Sequence, residues 1–274
     1  MRIQACWYLL LLVFCSGCGG GSNSRSGAIT SDYEPTKEST NYAEMGKQYL
    51  HRGDQETALQ RLKKAIELDP RNAEAHNTLA VLYNNLKKPE LAEDHYVRSV
   101  ELEPENPSIQ NNYALFLCNN EREEDADIHF RKALDNPLYK NPEVASTNAG
   151  LCAMRINKYQ RAENYFIQSL KSETLNPSPA SQRAITLALF KMAELNYRFS
   201  DYRGARSFLA RYEDYVKQNQ GEDAEIHTPQ TLCMNILVER ALGDRNKEAS
   251  YMVLLRGKFA DSKQAKTQCA SEEI

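Results

Sequence analysis

The sequence has few residues that break regular structure and no strong excess of one charge. Its 274 residues include only 12 glycines and 10 prolines, which is too few for a disordered or collagen-like chain. The 34 basic and 37 acidic side chains give a net charge of −3. A nucleic-acid-binding protein would present a basic face, so the charge argues against a nucleic-acid partner.

The sequence also lacks the patterns that are typical of enzymes and metal proteins. Its five histidines fall at different places in the chain, and none stands near a serine, cysteine or carboxylate in a catalytic pattern. There is no glycine-rich phosphate-binding loop, and the body of the chain after Cys18 has no Cys-x-x-Cys or Cys/His cluster at metal-ligand spacing. We therefore expect no catalytic residue, no metal, no cofactor and no small-molecule substrate.

The one strongly apolar run, residues 5–15, is too short to anchor the chain in a membrane by itself. It has about half of the ~20 residues that a spanning helix needs. The order of its parts is Arg2, then the apolar run, then small residues, and this order is typical of a secretory signal. We expect this segment to be removed.

The end of the apolar run indicates how the chain is attached. Ser16 and Gly17 precede Cys18, which resembles the bacterial lipoprotein signal, although Cys15 stands where that signal usually has leucine. The resemblance implies acyl chains on Cys18 that hold the protein in the lipid bilayer. Gly19 follows instead of the aspartate that directs retention in the inner membrane, so an outer-membrane location is implied. The alternative is a secreted protein that is cut nearby.

A repeat with a period of 34 residues is present in the body of the chain. The segment ALQRLKKAIELDP (58–70) aligns with AEDHYVRSVELEP (92–104). The period and the pattern resemble the tetratricopeptide repeat, a pair of helices. Small residues recur on the expected first helices at Gly46, Ala80, Ala114 and Gly150, and large ones on the second helices at Leu62, Tyr96, Phe130 and Phe166. Stacked helix pairs need this alternation.

We therefore predict an all-α fold, a right-handed superhelical solenoid of about six tetratricopeptide repeats with a C-terminal capping helix. A segment rich in glycine and serine separates the signal from the repeats and is expected to be flexible. The expected organisation is a lipoprotein signal peptide at 1–17, a flexible tether at 18–38 and a solenoid at 39–274, with repeats at 39–72, 73–106, 107–140, 143–176, 183–219 and 229–262 and a cap at 263–274.

Four cysteines lie in the body of the chain, at Cys118, Cys152, Cys233 and Cys269. In an oxidising compartment they could pair in three ways. Because neighbouring first helices of a solenoid pack side by side, the geometry favours Cys118 with Cys152, and then Cys233 with Cys269 as a clamp on the cap. The alternative is that each is a small buried thiol.

The remaining candidate for function is a groove lined by the first helices. Residues that recur at the repeat period there form an amide-rich row and an aliphatic row. The candidate partner-binding residues are Asn77, Val81, Asn84, Asn111, Asn112, Leu115, Thr147, Asn148, Leu151 and Met154. Amides can pair with a peptide backbone and aliphatic side chains can contact apolar ones. The alternative for the aliphatic row is packing between helices.

Taken together, the lipoprotein signal, the six repeats and stretches such as NNYALFLCNN (111–120) resemble the type IV pilus biogenesis lipoproteins of the PilF/PilW family. These are pilotins of the pilus secretin. The resemblance implies a non-enzymatic protein on the periplasmic face of the outer membrane that binds secretin subunits and promotes their localisation and multimerisation. The alternative is a repeat lipoprotein that serves as an adaptor for outer-membrane barrel assembly or for cell-wall enzymes.

Overall fold

The computed structural model describes residues 33–172, 177–221, 225–267 and 269. The signal peptide, Cys18 and the tether up to residue 32 lie outside the described residues. Within the described ranges the chain is all-α, and no helix there is long and apolar enough to cross a membrane. The helices in these ranges are α1 (Lys37–His51), α2 (Gln55–Leu68), α3 (Ala73–Asn85), α4 (Pro89–Leu102), α5 (Pro107–Asn119), α6 (Glu123–Asp135), α7 (Pro142–Arg155), α8 (Tyr159–Lys171), α9 (Pro179–Arg198), α10 (Tyr202–Gln220), α11 (Pro229–Leu242), α12 (Arg245–Lys258) and α13 (Lys263–Thr267).

Consecutive helices pack in pairs, and each pair packs on the next. The contacts run from α1 with α2 to α11 with α12, and the first helices α1, α3, α5, α7 and α9 also contact one another in sequence. The short helix α13 lies against both α11 and α12. The prediction of an all-α solenoid with six repeats and a capping helix is confirmed. Below, repeat one is α1 with α2, and repeat six is α11 with α12.

The small and large residues of the repeat pattern meet inside each pair. Leu62 and Phe166 are fully buried. A Cβ atom added at Gly46 would lie 2.6 Å from Cγ of Leu62, and one added at Gly150 would lie 2.5 Å from a ring atom of Phe166. Close approach of the two helices therefore requires glycine at these positions, because any side chain would overlap its neighbour.

The turn inside each repeat uses one residue with a left-handed backbone. Its φ is 81° at Gly53 and 78° at Gly243, and four residues other than glycine adopt the same conformation at the equivalent place. These four are Lys87, Glu121, Asn157 and Ser200. Side chains with a Cβ atom are strained in this region, so the turn geometry is imposed by the packing of the two helices.

Some observed bounds differ from the expected ones because helix caps were not counted in the sequence. Helix α1 begins at Lys37 with Thr36 as its N-cap, so the helical part starts before the expected end of the tether at residue 38. In repeat five, Ser178 caps a helix that begins at Pro179 and not at residue 183. Serine before proline is a strong start signal. The described part of the cap is α13 and Cys269.

Both favoured cysteine pairs are bonded in the structure. Cys118 on α5 and Cys152 on α7 join the first helices of repeats three and four, with Cα atoms 5.9 Å apart. Cys233 on α11 is bonded to Cys269, with Cα atoms 5.4 Å apart, and this bond ties the segment after α13 to repeat six. The first bond therefore joins two repeats, and the second holds the cap.

Candidate functional site

A groove of about 430 Å³ opens between the first helices α1, α3 and α5. Three of the predicted residues, Asn77, Val81 and Asn112, line it. Helices α3 and α5 present these side chains on the same face because residues three or four apart on a helix lie one above the other. Repeats one to three thus form a concave part of the predicted binding surface.

The asparagines of the amide row bond to one another. The Nδ2 atom of Asn148 donates to Oδ1 of Asn111 at 3.1 Å, and Nδ2 of Asn112 donates to Oδ1 of Asn77 at 3.2 Å. Within α5, Nδ2 of Asn111 donates to Oδ1 of Asn112 at 3.4 Å. Asn77 and Asn111 are buried, whereas Asn112 and Asn148 are half-buried. The buried amides therefore have partners, and these link repeats two, three and four.

The amide chain ends at an ion pair on the groove wall. Nδ2 of Asn77 donates to Oε2 of Glu74 at 3.5 Å, and Nζ of Lys47 donates to Oε1 of Glu74 at 2.7 Å. Burial lowers the pKa of Lys47, but the hydrogen bond and the charge of Glu74, with the charge of Glu44, outweigh it, so the pKa is raised. Lys47 is therefore protonated and neutralises Glu74 at neutral pH.

The aliphatic row is divided between packing and exposure. Val81 and Leu151 are half-buried and pack against the core. Leu115, one turn after Asn112 on α5, is 38% exposed. Met154 on α7 also packs against the core. Interhelical packing therefore accounts for part of this row, and Leu115 is its most exposed member.

One predicted residue does not face the groove. Thr147 is 2% exposed, and its Oγ1 atom lies 2.9 Å from Oγ of Ser169 and donates to the carbonyl of Ala184 at 3.2 Å. The expectation that Thr147 lines the groove is wrong, because its side chain is buried and bonded to α8 and α9. Asn84 is half-buried on α3, one turn after Val81.

Seven groove residues were missed from the sequence: Lys47, Leu50, His51, Glu74, Thr78, Asn106 and Ser108. Lys47 lies 34 residues before Val81, and Leu50 lies 34 residues before Asn84. Extending the period backward would have found both. Glu74 lies in the first turn of α3. Acidic residues are common in first turns because they interact favourably with the helix dipole, so an acidic residue at this place does not by itself indicate a binding surface.

The histidines are more ordered than the sequence suggested. His95 and His129 occupy equivalent places in their repeats, so the view that all five histidines fall at different places is wrong. Nδ1 of His95 lies 2.9 Å from Nδ1 of His76, and Nδ1 of His129 lies 2.6 Å from Oε1 of Gln110. Burial, then the charges of His95 and Arg98, lower the pKa of His76 to about 4, despite a hydrogen bond to Pro70 that raises it. Among the described residues, no group of three or more metal-binding side chains occurs.

Comparison with known proteins agrees with this fold. Two sequence profiles match, described as "TPR repeat" at residues 46–87 and as "Tetratricopeptide repeat" at residues 73–106. The chain is 29% identical over 262 residues to the type IV pilus assembly protein PilF of Pseudomonas aeruginosa, and the match covers 96% of each chain.

Two solved structures resemble the described fold over most of their length. The structure of Pseudomonas aeruginosa PilF is 29% identical, with a TM-score of 0.70 over 85% of this chain and 97% of that one. The crystal structure of PilW, a widely conserved type IV pilus biogenesis factor, is 24% identical, with a TM-score of 0.72 over 86% of this chain and 100% of that one. The similarity to PilW is one of fold.

Proposed function

We infer that this chain, a tetratricopeptide-repeat homologue of the type IV pilus assembly protein PilF, acts in type IV pilus biogenesis by binding another protein. The observation that carries the proposal is the groove between α1, α3 and α5, which combines amides, a neutralised ion pair and aliphatic side chains. Such a surface suits a polypeptide segment.

The binding surface extends from the groove along α5 to α7. Asn77, Val81, Asn84, Asn111, Asn112, Leu115, Asn148, Leu151 and Met154 remain its proposed residues, to which the structure adds Lys47, Leu50 and Glu74. Their roles differ with their burial. Leu115 contacts the partner most directly because it is the most exposed of the aliphatic residues, whereas the buried Asn77 and Asn111 hold their neighbours in position.

The proposed partner is the pilus secretin, and the proposed location is the periplasmic face of the outer membrane, with Cys18 acylated. The lipoprotein-like signal of the sequence and the similarity to PilF support this assignment. In this view the protein captures secretin subunits and brings them to the membrane in which they assemble into multimers. The adaptor function for barrel assembly or cell-wall enzymes is the competing outcome.

A complementation experiment tests the proposed function. A strain without this protein is expected to lose heat-stable secretin multimers, and the wild-type chain should restore them. Leu115→Arg should fail to restore them because it places a charge on the groove face. Ile128→Arg is the matched control, since Ile128 is 49% exposed on α6, which contributes nothing to the groove. Normal multimers in the deletion strain would refute the secretin assignment.

The anchor requires a separate test. Replacing Cys18 with alanine should leave the protein folded but outside the membrane fraction, because the acyl chains attach to that thiol. Secretin multimers should then form in the wrong membrane or in lower amount. Unchanged fractionation of the Cys18→Ala protein with the outer membrane would contradict the proposed anchor without affecting the proposed groove.

A further inference from the structure

The hydrogen bonds of the amide row, called the asparagine ladder below, all run in one direction. Starting at α7, each asparagine donates to the next acceptor: Asn148 to Asn111, Asn111 to Asn112, and Asn112 to Asn77. Asn77 then donates to Glu74, and Lys47 donates to the same carboxylate from the other side. The chain crosses four first helices, and every donor points toward Glu74.

A carboxylate explains this common direction. An ionised carboxylate can only accept hydrogen bonds, whereas an asparagine amide can both donate and accept. Glu74 therefore forces Asn77 to present its NH₂ group to Oε2, which leaves Oδ1 of Asn77 as the acceptor for Asn112. The same orientation follows for Asn112, Asn111 and Asn148, because each amide that donates through its NH₂ group leaves its Oδ1 atom as the acceptor for the next donor.

The fixed direction decides what the exposed members offer to a ligand. Asn112 and Asn148 are half-buried and alternate with the buried Asn111 and Asn77. In the ladder each asparagine donates one hydrogen of its NH₂ group, so the second hydrogen of Asn112 and of Asn148 remains for a ligand. Because their carbonyl and NH₂ ends cannot exchange, donor and acceptor follow in a fixed order along the groove.

We propose that Glu74 is a positioning residue which orients the asparagine ladder, and that the oriented ladder docks an extended polypeptide segment through its main chain in one direction. This inference rests on the proposed function of the groove. An extended segment has unpaired main-chain N–H and C=O groups, which two oriented amides can bond in order. A helical segment has already paired these groups within itself.

The charge of the groove agrees with a main-chain ligand. Lys47 and Glu74 pair at 2.7 Å and cancel each other, so the ladder end attracts neither an acidic nor a basic segment. Leu50 and Val81 supply apolar side chains to the groove lining, and Leu115, which is 38% exposed, lies one turn beyond the lining residue Asn112. The partner segment is therefore extended, without net charge in the docked part, and carries aliphatic side chains on one side.

The orienting role of Glu74 is tested first in the free protein. The substitution Glu74→Gln keeps the size of the side chain but supplies both a donor and an acceptor, so the ladder can reverse. We expect the side-chain NH₂ resonances of Asn77 and Asn112 to shift in NMR spectra. Glu101→Gln is the matched control, because Glu101 also forms an ion pair, with Arg98 at 3.1 Å, but lies outside the ladder. Unchanged Asn77 and Asn112 resonances in Glu74→Gln would overturn the orienting role.

Docking is tested with overlapping synthetic peptides that cover the secretin. Against the peptide that binds the wild-type chain best, Glu74→Gln should weaken binding about tenfold, the loss of one or two hydrogen bonds, and Glu101→Gln should not change it. N-methylation of alternate main-chain nitrogens should abolish binding. Equal binding of the methylated peptide, or preferred binding of a peptide with residues 19–32 of this chain, would overturn main-chain docking of a partner. Failure of every peptide to bind would refute the groove function, while the NMR result would still decide the role of Glu74.

Discussion

Repeats one to four and repeats five and six are built on the same helix pair, but different contacts join neighbouring repeats. In the first group, the amide ladder and the Cys118–Cys152 bond connect first helices across the groove. In the second group, Arg206 of α10 forms an ion pair with the buried Glu239 of α11. The cap is then held by Cys233–Cys269.

The difference indicates that the two groups of repeats have different roles, one in binding and one in support. In repeats one to four, the polar groups that join neighbouring repeats also belong to the proposed binding surface. The helices of these repeats have 13 to 15 residues. Repeat five has helices of 20 and 19 residues, and the ion pair of Arg206 with the buried Glu239 lies at its junction with repeat six. We interpret repeats five and six as a stable end that supports the binding half.

The largest expected effect comes from removing a disulfide, here the one in the binding half. Replacing Cys118 and Cys152 with alanine should lower the free energy of unfolding by about 3–4 kcal/mol, because the bond closes a long loop in the unfolded chain. Hydrogen exchange should quicken in α5 and α7. Replacing Cys233 and Cys269 with alanine is the comparison, and should quicken exchange only around α11 to α13. Identical exchange patterns in the two variants would contradict the separate roles of repeats one to four and repeats five and six.

The second prediction concerns the junction in the supporting half. Glu239 is 2% exposed, and Nε of Arg206 donates to its Oε1 at 3.0 Å, with a second bond between Nη2 and Oε2. The substitution Glu239→Gln should lower the free energy of unfolding, measured in urea, by about 2 kcal/mol. The loss is smaller than for a fully buried ion pair because Arg206 is partly exposed. Glu225→Gln is the control, because its pair with Lys258 is 4.0 Å long and exposed, and it should change stability little.

The third prediction compares one helical glycine from each half. Gly150→Ala should destabilise the protein by about 2 kcal/mol, since the added methyl group overlaps the ring of the buried Phe166. Gly257→Ala on α12 meets nothing within 4 Å and should stabilise it by about 0.5–1 kcal/mol through helix propensity. Thermal unfolding followed by circular dichroism distinguishes the two. Equal effects would show that the close helix approach in repeat four is not required.

The smallest effect is a pH dependence that arises from His76 in the binding half. The pKa of His76 is about 4 in the folded chain, and its ordinary value of 6.5 applies in the unfolded chain. Between pH 4 and pH 6.5 the unfolded chain therefore binds more protons than the folded one. Stability should therefore fall by about 1–2 kcal/mol as the pH decreases from 6.5 to 4. His76→Gln, which copies the arrangement of Gln110 with His129, should flatten this dependence. An unchanged pH profile in that variant would assign the effect to other groups.

The repeat periodicity was sufficient to predict the helix pairs. Gly46, Gly150, Leu62 and Phe166 recur because each repeat solves the same packing problem, and a periodic packing problem leaves a periodic pattern in the sequence. The start of α9 at Pro179 was missed although Ser178 and Pro179 carry a local signal for it. The start was missed because the repeat pattern is weaker in the late repeats and the cap at Ser178 was not counted.

The hydrogen bonds of the groove could not be predicted in the same way. The amide positions follow from the period, but their partners depend on how far apart and at what angle neighbouring first helices lie, which the pattern does not specify. Thr147 occupies the same place in its repeat as Asn111, yet it bonds Ser169 and the carbonyl of Ala184 because α9 packs there. The role of Glu74 could be inferred only from its contacts with Asn77 and Lys47 in the structure.

The most direct test of the central claim is site-specific photo-crosslinking in intact cells. A photoreactive residue at position 115, on the groove face of α5, is expected to capture the secretin, whereas one at position 128 on α6 should capture little. Both native side chains are exposed to a similar extent, 38% and 49%, so access to the crosslinker does not favour the groove. Capture of the secretin at 128 and not at 115 would contradict the account.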